Sequence, residues 1–286
     1  MGGRKIVMPE LPSRSLLSRP LSLKASLLSL GVVVPALLYT ILCLYAWFFS
    51  DALLFKPPRP SYQDAGDIIK LSAHDGISIS ARYLPNPQAD FTILYSHGQS
   101  EDLGDCKDAL IRLHDLGVAV LAYDYEGYGT SQGTPSEHHA YRDIEAAYDY
   151  LTGALGVPPE RIIAYGFSMG SGPAVDLASR KPLAGLILES AFVSAFRVYL
   201  PVQVLPFDKF HNLGKIARAT HPVLILHGMR DSLIPVQQAE QLFQAAQEPK
   251  RLIILDDMGH FGIKWDQKNR YTQALEEFLT SIRTPQ

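Results

Sequence analysis

Cysteine and unbalanced charge are both scarce in this chain. Two of the 286 residues are cysteine, and Cys43 lies inside an apolar run, so the globular part keeps only Cys106 and has no internal disulfide. No cluster of cysteine and histidine has the spacing of a zinc site, and neither a metal nor a cofactor is predicted. The net charge is −3 and no basic stripe marks the folded part, which argues against a nucleic-acid partner.

Charge is also absent between Ala25 and Ser50. An apolar run of about twenty residues spans a bilayer as a helix, and Pro35 is tolerated in such a helix. More basic residues precede the run than follow it: Arg4, Lys5, Arg14, Arg19 and Lys24 stand before it, and Lys56 and Arg59 after it. The positive-inside rule then predicts a basic cytoplasmic leader over 1–24, a single-pass anchor over 25–50 and a domain on the non-cytoplasmic side.

A cleaved signal peptide is the alternative interpretation of this run. The apolar core of a signal peptide normally has about 7–15 residues and ends near an A-x-A-like cleavage site. This run is longer, and residues 44–46 fit such a site poorly, which favours an uncleaved anchor. The Pro-rich stretch over 51–64 that follows predicts a stiff, extended spacer.

Apolar runs alternate with helical stretches over the remaining residues, 65–286. Eight runs predict strands, at 68–72, 77–84, 91–96, 118–123, 161–166, 184–188, 222–227 and 251–256, with helices around 103–115, 136–153, 169–180, 236–247 and 268–283. The later strands are continuously apolar, which is typical of a parallel sheet buried on both faces. The second strand alternates apolar and polar residues like a half-exposed edge strand. Strands that alternate with helices indicate a mainly parallel α/β sheet.

The stretch Gly166–Gly170 matches the G-x-S-x-G pattern of a nucleophile elbow. A short β-branched and aromatic run precedes it, and a helical stretch follows it, which is the context that the pattern requires. The glycines allow a tight turn that holds Ser168 at its tip. The alternative is a glycine-rich turn whose serine merely caps the helix.

Six blocks in this order resemble the α/β-hydrolase superfamily. They are SHGQSEDLG at 96–104, YDYEGYGTSQG at 123–133, the elbow at 166–170, LESAF at 188–192, HGMRD at 227–231 and MGH at 258–260. Within the superfamily the chain resembles the Bem46-like branch and the membrane-associated serine hydrolases of the ABHD17 and ABHD13 type, over about residues 65–283. The cysteine-rich N-terminus of the ABHD17 type is absent, and the apolar run takes its place.

This resemblance implies the α/β-hydrolase fold and a triad in the chain order serine, acid, histidine. Ser168 is then the nucleophile, Asp231 in the loop after the seventh strand is the acid, and His260 after the eighth strand is the base. Asp124 precedes the serine and is interpreted as a carboxylate that holds a turn. Asp256 and Asp257 stand too close to the histidine in sequence to orient it easily.

The same resemblance implies an oxyanion hole made by two backbone N–H groups. One belongs to Met169, which follows the nucleophile, and the other to Gln99 in the loop after the third strand. Ser100 is the alternative if that loop is rotated by one residue.

Residues 190–215 stand where this superfamily inserts a cap, and they predict a small cap rich in aromatic side chains. Phe192, Phe196 and Phe207 are the candidates for contact with an apolar substrate. Packing against the sheet is the alternative for the same side chains.

We therefore expect a membrane-anchored serine hydrolase that cleaves esters or thioesters of small-molecule, lipid or acylated-protein substrates. Its only other predicted partner is the membrane, through residues 25–50. A serine peptidase of the same fold is one alternative. A non-catalytic, membrane-tethered binding module is another, although the intact set of serine, acid and histidine argues against it.

Overall fold

The computed structural model describes residues 23–200, 202–261 and 270–283, with side chains from residue 31 onward. Almost all of the predicted basic leader over 1–24 lies outside these residues. The chain divides into two units, one up to Trp47 and the other from Phe48.

The first unit is the greater part of one apolar helix, α1, which covers Leu23–Leu54 and contains Pro35. Its stretch Gly31–Leu54 has a mean hydropathy of 2.1 and is long and apolar enough to cross a membrane. At a rise of 1.5 Å per residue, such a stretch measures about 36 Å, slightly more than the hydrocarbon core of a bilayer. The expected apolar helix at the N-terminal end is thus present.

The second unit is built on an eight-stranded, mainly parallel sheet in the order β1-β2-β4-β3-β5-β6-β7-β8. Strands β1 and β2 are antiparallel to their neighbours, and all later pairs are parallel. The strands are Ile68–Ser72 (β1), Ser78–Leu84 (β2), Thr92–Ser96 (β3), Ala119–Tyr123 (β4), Ile162–Phe167 (β5), Gly185–Glu189 (β6), Val223–Gly228 (β7) and Lys250–Leu255 (β8). All eight predicted strands are confirmed to within one residue at each end.

Strand β2 was expected at an edge of the sheet, and that expectation is wrong. It pairs with β1 on one side and with β4 on the other, so β1 is the edge. The polar residues of β2 find partners instead of water, since Ser80 is fully buried and its hydroxyl bonds with Thr130 Oγ1 at 2.7 Å. The alternation of apolar and polar residues along β2 therefore reflects polar partners inside the domain and not a position at the edge of the sheet.

Helices cover both faces of this sheet. The helices after α1 are Lys107–His114 (α2), Glu137–Asp149 (α3), Ser171–Ala178 (α4), Asn212–Ile216 (α5), Val236–Ala245 (α6) and Arg270–Arg283 (α7). Helices α3 to α6 contribute to one buried apolar cluster, and α2 and α7 contribute to the other. Helices thus shield both faces of the sheet from water, which explains why the later strands are continuously apolar. Helix α5 is too short to have produced a periodic pattern.

The segment expected as a spacer over 51–64 is instead part of the second unit. Its first residues continue α1 to Leu54, and Leu54 and Phe55 are buried at 8% and 4% exposure. The backbone N–H of Ser61 donates to Asp102 Oδ2 at 2.7 Å, and the Tyr62 hydroxyl donates to Asp124. The prolines predicted an extended spacer, but the stretch begins as helix and its apolar and hydroxyl side chains contact the domain.

Candidate active site

The elbow lies between β5 and α4 and needs both of its glycines. Ser168 adopts a left-handed backbone conformation with φ of 51°, a strained state for a residue other than glycine. A Cβ atom on Gly166 would come within 2.5 Å of the Gly170 oxygen, and one on Gly170 within 2.1 Å of the Ser96 oxygen. The turn can be this tight only because neither position carries a side chain.

The structure brings Ser168, His260 and Asp231 into one hydrogen-bonded chain. His260 Nε2 lies 2.9 Å from Ser168 Oγ, and His260 Nδ1 lies 2.7 Å from Asp231 Oδ2. The three residues come from the loops after β5, β8 and β7, at the carboxyl ends of parallel strands in the same half of the sheet. Ligand sites of open α/β sheets form at this edge.

The charge state of Asp231 determines the direction of these hydrogen bonds. Burial alone raises the pKa of its carboxyl, but hydrogen bonds from His260 and from the N–H groups of Ile234 and Leu233 outweigh burial and lower the pKa below its usual value. The ionised carboxylate only accepts hydrogen bonds, so His260 Nδ1–H donates to it. His260 Nε2 is then free to accept the proton of Ser168.

Two further buried residues hold this arrangement in place. The Ser190 hydroxyl donates to the His260 carbonyl at 2.8 Å and thereby supports the loop after β8. His227 Nε2 lies 2.8 Å from the Ile234 carbonyl oxygen and 3.6 Å from Asp231 Oδ2. Burial lowers the pKa of the His227 ring, which favours its neutral form. Ser190 has a positive φ of 49°, so its backbone is strained at the end of β6.

The other carboxylates that the sequence offered have different partners. Asp124 is fully buried, with Oδ1 accepting from the Leu103 N–H at 2.9 Å and lying 3.3 Å from His97 Nε2. These contacts join the loops after β3 and β4, and the expected role in holding the turn at 127–129 stays a prediction. Asp257 pairs with Arg270 at the surface.

The loop after β3 is held from several sides. The His97 ring is buried, and although burial lowers its pKa, the Asp124 carboxylate more than compensates and raises it. The Tyr128 hydroxyl donates to the Gln99 carbonyl at 2.9 Å, and the Gln99 side-chain amide donates to the Leu54 carbonyl. Gln99 and Met169, the expected oxyanion-hole residues, both border a cavity with Ser168. Ser100 faces a second pocket.

The cavity beside Ser168 is mostly apolar and holds about 580 Å³ of empty space, its open mouth included. Its lining is Leu54, Gln99, Ser168, Met169, Phe192, Ala195, Val198, Tyr199, Phe210, Leu233, Ile234 and His260. Phe192 is thus in the wall as expected. Phe196 and Phe207 are not among the lining residues, and their rings pack on each other at 6.0 Å.

Within the described residues 190–200 and 202–215, the predicted cap is a loop with a 3₁₀ turn at Phe196–Val198, and it ends in α5. Asp208 fixes the loop by accepting from the Ser194 hydroxyl at 2.6 Å and from the Phe196 N–H at 2.9 Å. This turn directs Val198 and Tyr199 to the cavity, while Phe196 packs against the core. Aromatic density in the sequence did not reveal which face of the loop meets the cavity.

Leu54 and Ser190 are two of the residues at this site that sequence reasoning missed. Leu54 was assigned to the spacer, and only the return of that segment to the domain brings it to the cavity. Ser190 stands inside the LESAF block that carries part of the family resemblance, so the block signalled a constrained position without indicating a role.

Comparison with known proteins agrees with this architecture. A family model described as Serine aminopeptidase, S33, matches residues 87–209, and one described as Prolyl oligopeptidase family matches residues 202–283. Alpha/beta hydrolase domain-containing protein 17B of Homo sapiens is 38% identical over 198 residues, which are 68% of each chain. An uncharacterized protein of Mycobacterium tuberculosis is 32% identical over 263 residues, 87% of this chain and 94% of that relative.

Solved structures show the same fold. An esterase of Pyrococcus furiosus superposes with a TM-score of 0.66 at 19% identity and covers 81% of this chain and 98% of its own. Together with the eight-stranded sheet and the elbow, these likenesses lead to one assignment. The chain belongs to the α/β-hydrolase superfamily, as a serine hydrolase related to alpha/beta hydrolase domain-containing protein 17.

Proposed function

We propose that this chain is a membrane-anchored serine hydrolase that cleaves acyl esters or thioesters through an acyl-enzyme on Ser168. The observation that carries the proposal is the hydrogen-bonded chain from Asp231 through His260 to Ser168, which ends in an apolar cavity. A serine hydroxyl is a weak nucleophile unless a base accepts its proton and a third group orients that base.

In the first half of the reaction, Ser168 Oγ attacks the substrate carbonyl carbon while His260 Nε2 takes the hydroxyl proton. The carbonyl oxygen becomes an oxyanion, which the backbone N–H groups of Gln99 and Met169 stabilise. Such a donor is worth roughly 3–4 kcal/mol of transition-state energy. His260 then protonates the departing alcohol or thiol, and the carbon–oxygen or carbon–sulfur bond breaks.

In the second half, His260 takes a proton from a water molecule, and the hydroxide attacks the Ser168 ester. The acid leaves after Ser168 recovers its proton from His260. The buried carboxylate of Asp231 keeps the Nδ1–H tautomer of His260 throughout both halves and stabilises the imidazolium that forms in each.

The chemistry of the cavity supports an acyl chain as its occupant. Phe192, Val198 and Phe210 offer carbon surface to a chain attached to Ser168. Each buried methylene is worth about 0.8 kcal/mol, so medium-length acyl groups should react faster than acetyl. This preference is part of the proposal, together with lipid or acylated-protein substrates.

A fluorophosphonate probe tests the chemistry directly, since it modifies only an activated serine. We expect mass spectrometry of the labelled full chain to find the phosphonyl group on the peptide that carries Ser168, and Ser168→Ala to remain unlabelled. Labelling at another serine, or equal labelling of Ser168→Ala, would contradict the assignment.

Peptidase action is the second candidate, because both matching family models are described by peptidase names. An amide is cleaved by the same steps but needs recognition of the flanking peptide. Matched octanoyl-ester and peptide p-nitroanilide substrates separate the two. Higher kcat/KM on the peptide substrate would favour the peptidase.

For the membrane, we propose that α1 is an uncleaved anchor with its N-terminus in the cytoplasm and the domain on the other side. The apolar length of α1 and the basic residues before it support this orientation. Two reporters fused after Gln286 test this orientation. One that is active only outside the cytoplasm should give a signal, and one that is active only in the cytoplasm should not. Cytoplasmic activity would reverse the orientation, and a mature N-terminus near Trp47 would overturn the anchor.

A further inference from the structure

A six-residue segment of the second unit, Asp51–Lys56, lies against the active site and is here named the strap. It contains the last turn of α1 and the first residues after it. The candidate membrane span, Gly31–Leu54, ends within the strap and shares residues 51–54 with it. The strap is therefore the point at which the anchor and the site meet in the chain.

Both ends of the strap are bound to the domain. At one end, Asp51 Oδ1 accepts from the Glu137 N–H at 3.2 Å, and Asp51 Oδ2 lies 3.1 Å from Lys209 Nζ. At the other end, the Lys56 N–H donates to the Tyr128 hydroxyl at 3.1 Å. A chain segment held at both ends has little freedom to move away from what it covers.

Phe55 fixes the strap next to its C-terminal end. Its ring is 4% exposed and packs edge-on against Tyr125 and Tyr128, with centroids 6.5 and 6.4 Å away, and against Phe210 at 5.8 Å. Burial of a phenylalanine ring stabilises by about 1.5–3 kcal/mol. This energy holds the neighbouring Leu54 in one position.

Leu54 meets the site in two ways. Its side chain lines the apolar cavity beside Ser168. Its carbonyl accepts the side-chain amide of Gln99, whose own carbonyl accepts from Tyr128. Tyr128 thus contacts both the strap and the loop after β3, and Gln99 of that loop contacts the strap directly.

We propose that the strap is part of the active site, with the Leu54 side chain limiting the length of the acyl group and the Leu54 carbonyl positioning Gln99 for the oxyanion. This inference rests on the proposed function. It makes the end of the anchor a specificity-determining element, so that chain-length preference and oxyanion stabilisation both depend on how the strap sits.

Chain-length preference tests the first half, with p-nitrophenyl esters from acetyl to dodecanoyl and the full chain in detergent. Leu54→Ala enlarges the cavity and should raise the ratio of kcat/KM for dodecanoyl over hexanoyl about ten-fold, since each added buried methylene is worth about four-fold. Leu54→Trp fills the cavity and should lower the same ratio about ten-fold. A ratio of two substrates does not depend on how much enzyme is folded.

The adjacent Leu53 provides the matched control, because it is 51% exposed and does not line the cavity. Leu53→Ala should keep the wild-type ratio. If Leu54→Ala and Leu54→Trp also keep it, the strap does not limit the acyl chain.

Coupling between the strap and Gln99 tests the second half. Gln99→Met keeps the side-chain length and the backbone N–H but loses the amide donor, and one lost hydrogen bond should lower kcat about ten-fold with little change in KM. Phe55→Ala loosens the strap and should lower kcat through the same contact. The double variant should therefore be little worse than Phe55→Ala.

Multiplied losses in the double variant would show that the strap does not act through Gln99. An unchanged kcat in Gln99→Met would overturn the positioning role as well. Failure of the proposed function is a different result, namely activity that persists in Ser168→Ala. If activity depends on Ser168 but the Leu54 and Gln99 variants behave like wild type, the proposed role of the strap is wrong and the proposed function still stands.

Discussion

Two pockets meet at Ser168, and their walls differ in chemistry. Both include Gln99, Leu233 and His260. The first is completed by side chains of the strap and of the loop after β6, almost all of them apolar. The second, with about 750 Å³ of empty space including its open mouth, is completed by Phe167, Phe261 and the loop after β3 with Glu101 and Asp105. Its lining is mixed but more polar than that of the first, and it is named the polar pocket for that reason.

Under the proposed function, this contrast allows one elbow to serve two halves of a substrate. An acyl chain gains free energy only where water is excluded, whereas a leaving group and the hydrolytic water need polar neighbours. We expect the acyl group in the apolar pocket and the leaving group in the polar pocket. Variants in the apolar pocket should then alter the acyl preference and leave the leaving-group preference unchanged. Variants in the polar pocket should alter the leaving-group preference and leave the acyl preference unchanged.

The largest expected effect removes the group that both pockets share. Ser168→Ala should lower kcat/KM by at least about three orders of magnitude for every acyl chain and leaving group, because no acyl-enzyme forms. Ser179→Ala, a change of the same size at the far end of α4, should keep wild-type activity. The thermal midpoints of both should match wild type. If Ser168→Ala keeps more than a few per cent of wild-type activity, Ser168 is not the nucleophile that the two pockets share.

The next effect concerns the orientation of the shared base. Asp231→Asn places an amide N–H₂ where His260 Nδ1–H now donates, which favours the wrong tautomer and should lower kcat by about three to four orders of magnitude. His260→Ala should cost a similar amount, and the double variant should be little worse than His260→Ala. Steady-state kcat values of the two single variants and the double variant show whether Asp231 and His260 act as one unit. Losses that multiply would mean that the two residues act independently.

A smaller effect tests the apolar pocket alone. Phe192→Ala enlarges the wall and should raise the ratio of kcat/KM for dodecanoyl over hexanoyl esters about ten-fold. Phe196→Ala, the same change at a ring outside the lining, should leave the ratio unchanged even if it lowers stability. Equal profiles for the two variants would show that Phe192 belongs to the core and not to a binding wall.

The smallest effect tests the polar pocket. Asp105 is exposed and borders the polar pocket, so its carboxylate should favour a cationic leaving group. Asp105→Asn should lower the preference for a choline ester over its uncharged dimethylbutyl analogue about three-fold at low salt, and less at high salt, since an exposed charge is worth about 0.2–1 kcal/mol. The acyl chain-length ratio should stay at the wild-type value.

Asp108 on α2 is the control, because it is exposed and does not line the pocket. Asp108→Asn should change neither ratio. A shift of the acyl ratio in Asp105→Asn would show that the two pockets are not separate in function.

The strands and the elbow were predictable because their signals are local. Runs such as residues 223–226 in β7 are apolar at every position, and burial on both faces of a parallel sheet is the simplest way to satisfy that pattern. The Gly166 and Gly170 positions were equally informative, since a turn this tight excludes any Cβ. The placement of Asp231 and His260 after β7 and β8 followed from chain order in the superfamily.

The edge and the cavity wall were less predictable because they depend on distant partners. Strand β2 alternates like an edge strand, yet its polar Ser80 bonds with Thr130 fifty residues away. Phe192, Phe196 and Phe207 are equally apolar, and the Asp208 contacts decide which of them the turn directs away from the cavity.

The sequence by itself determined the class of fold and the tight turn that carries the proposed nucleophile Ser168, because glycine and apolar periodicity carry local steric and solvation demands. Its resemblance to the superfamily supplied the order serine, acid, histidine. Only the tertiary structure decided what surrounds that nucleophile. Leu54 is an ordinary leucine at the end of an apolar helix, and it becomes a wall of the cavity because burial of Phe55 and the ion pair of Asp51 draw the chain back onto the domain. Such contacts join residues far apart in sequence, and no local pattern records them.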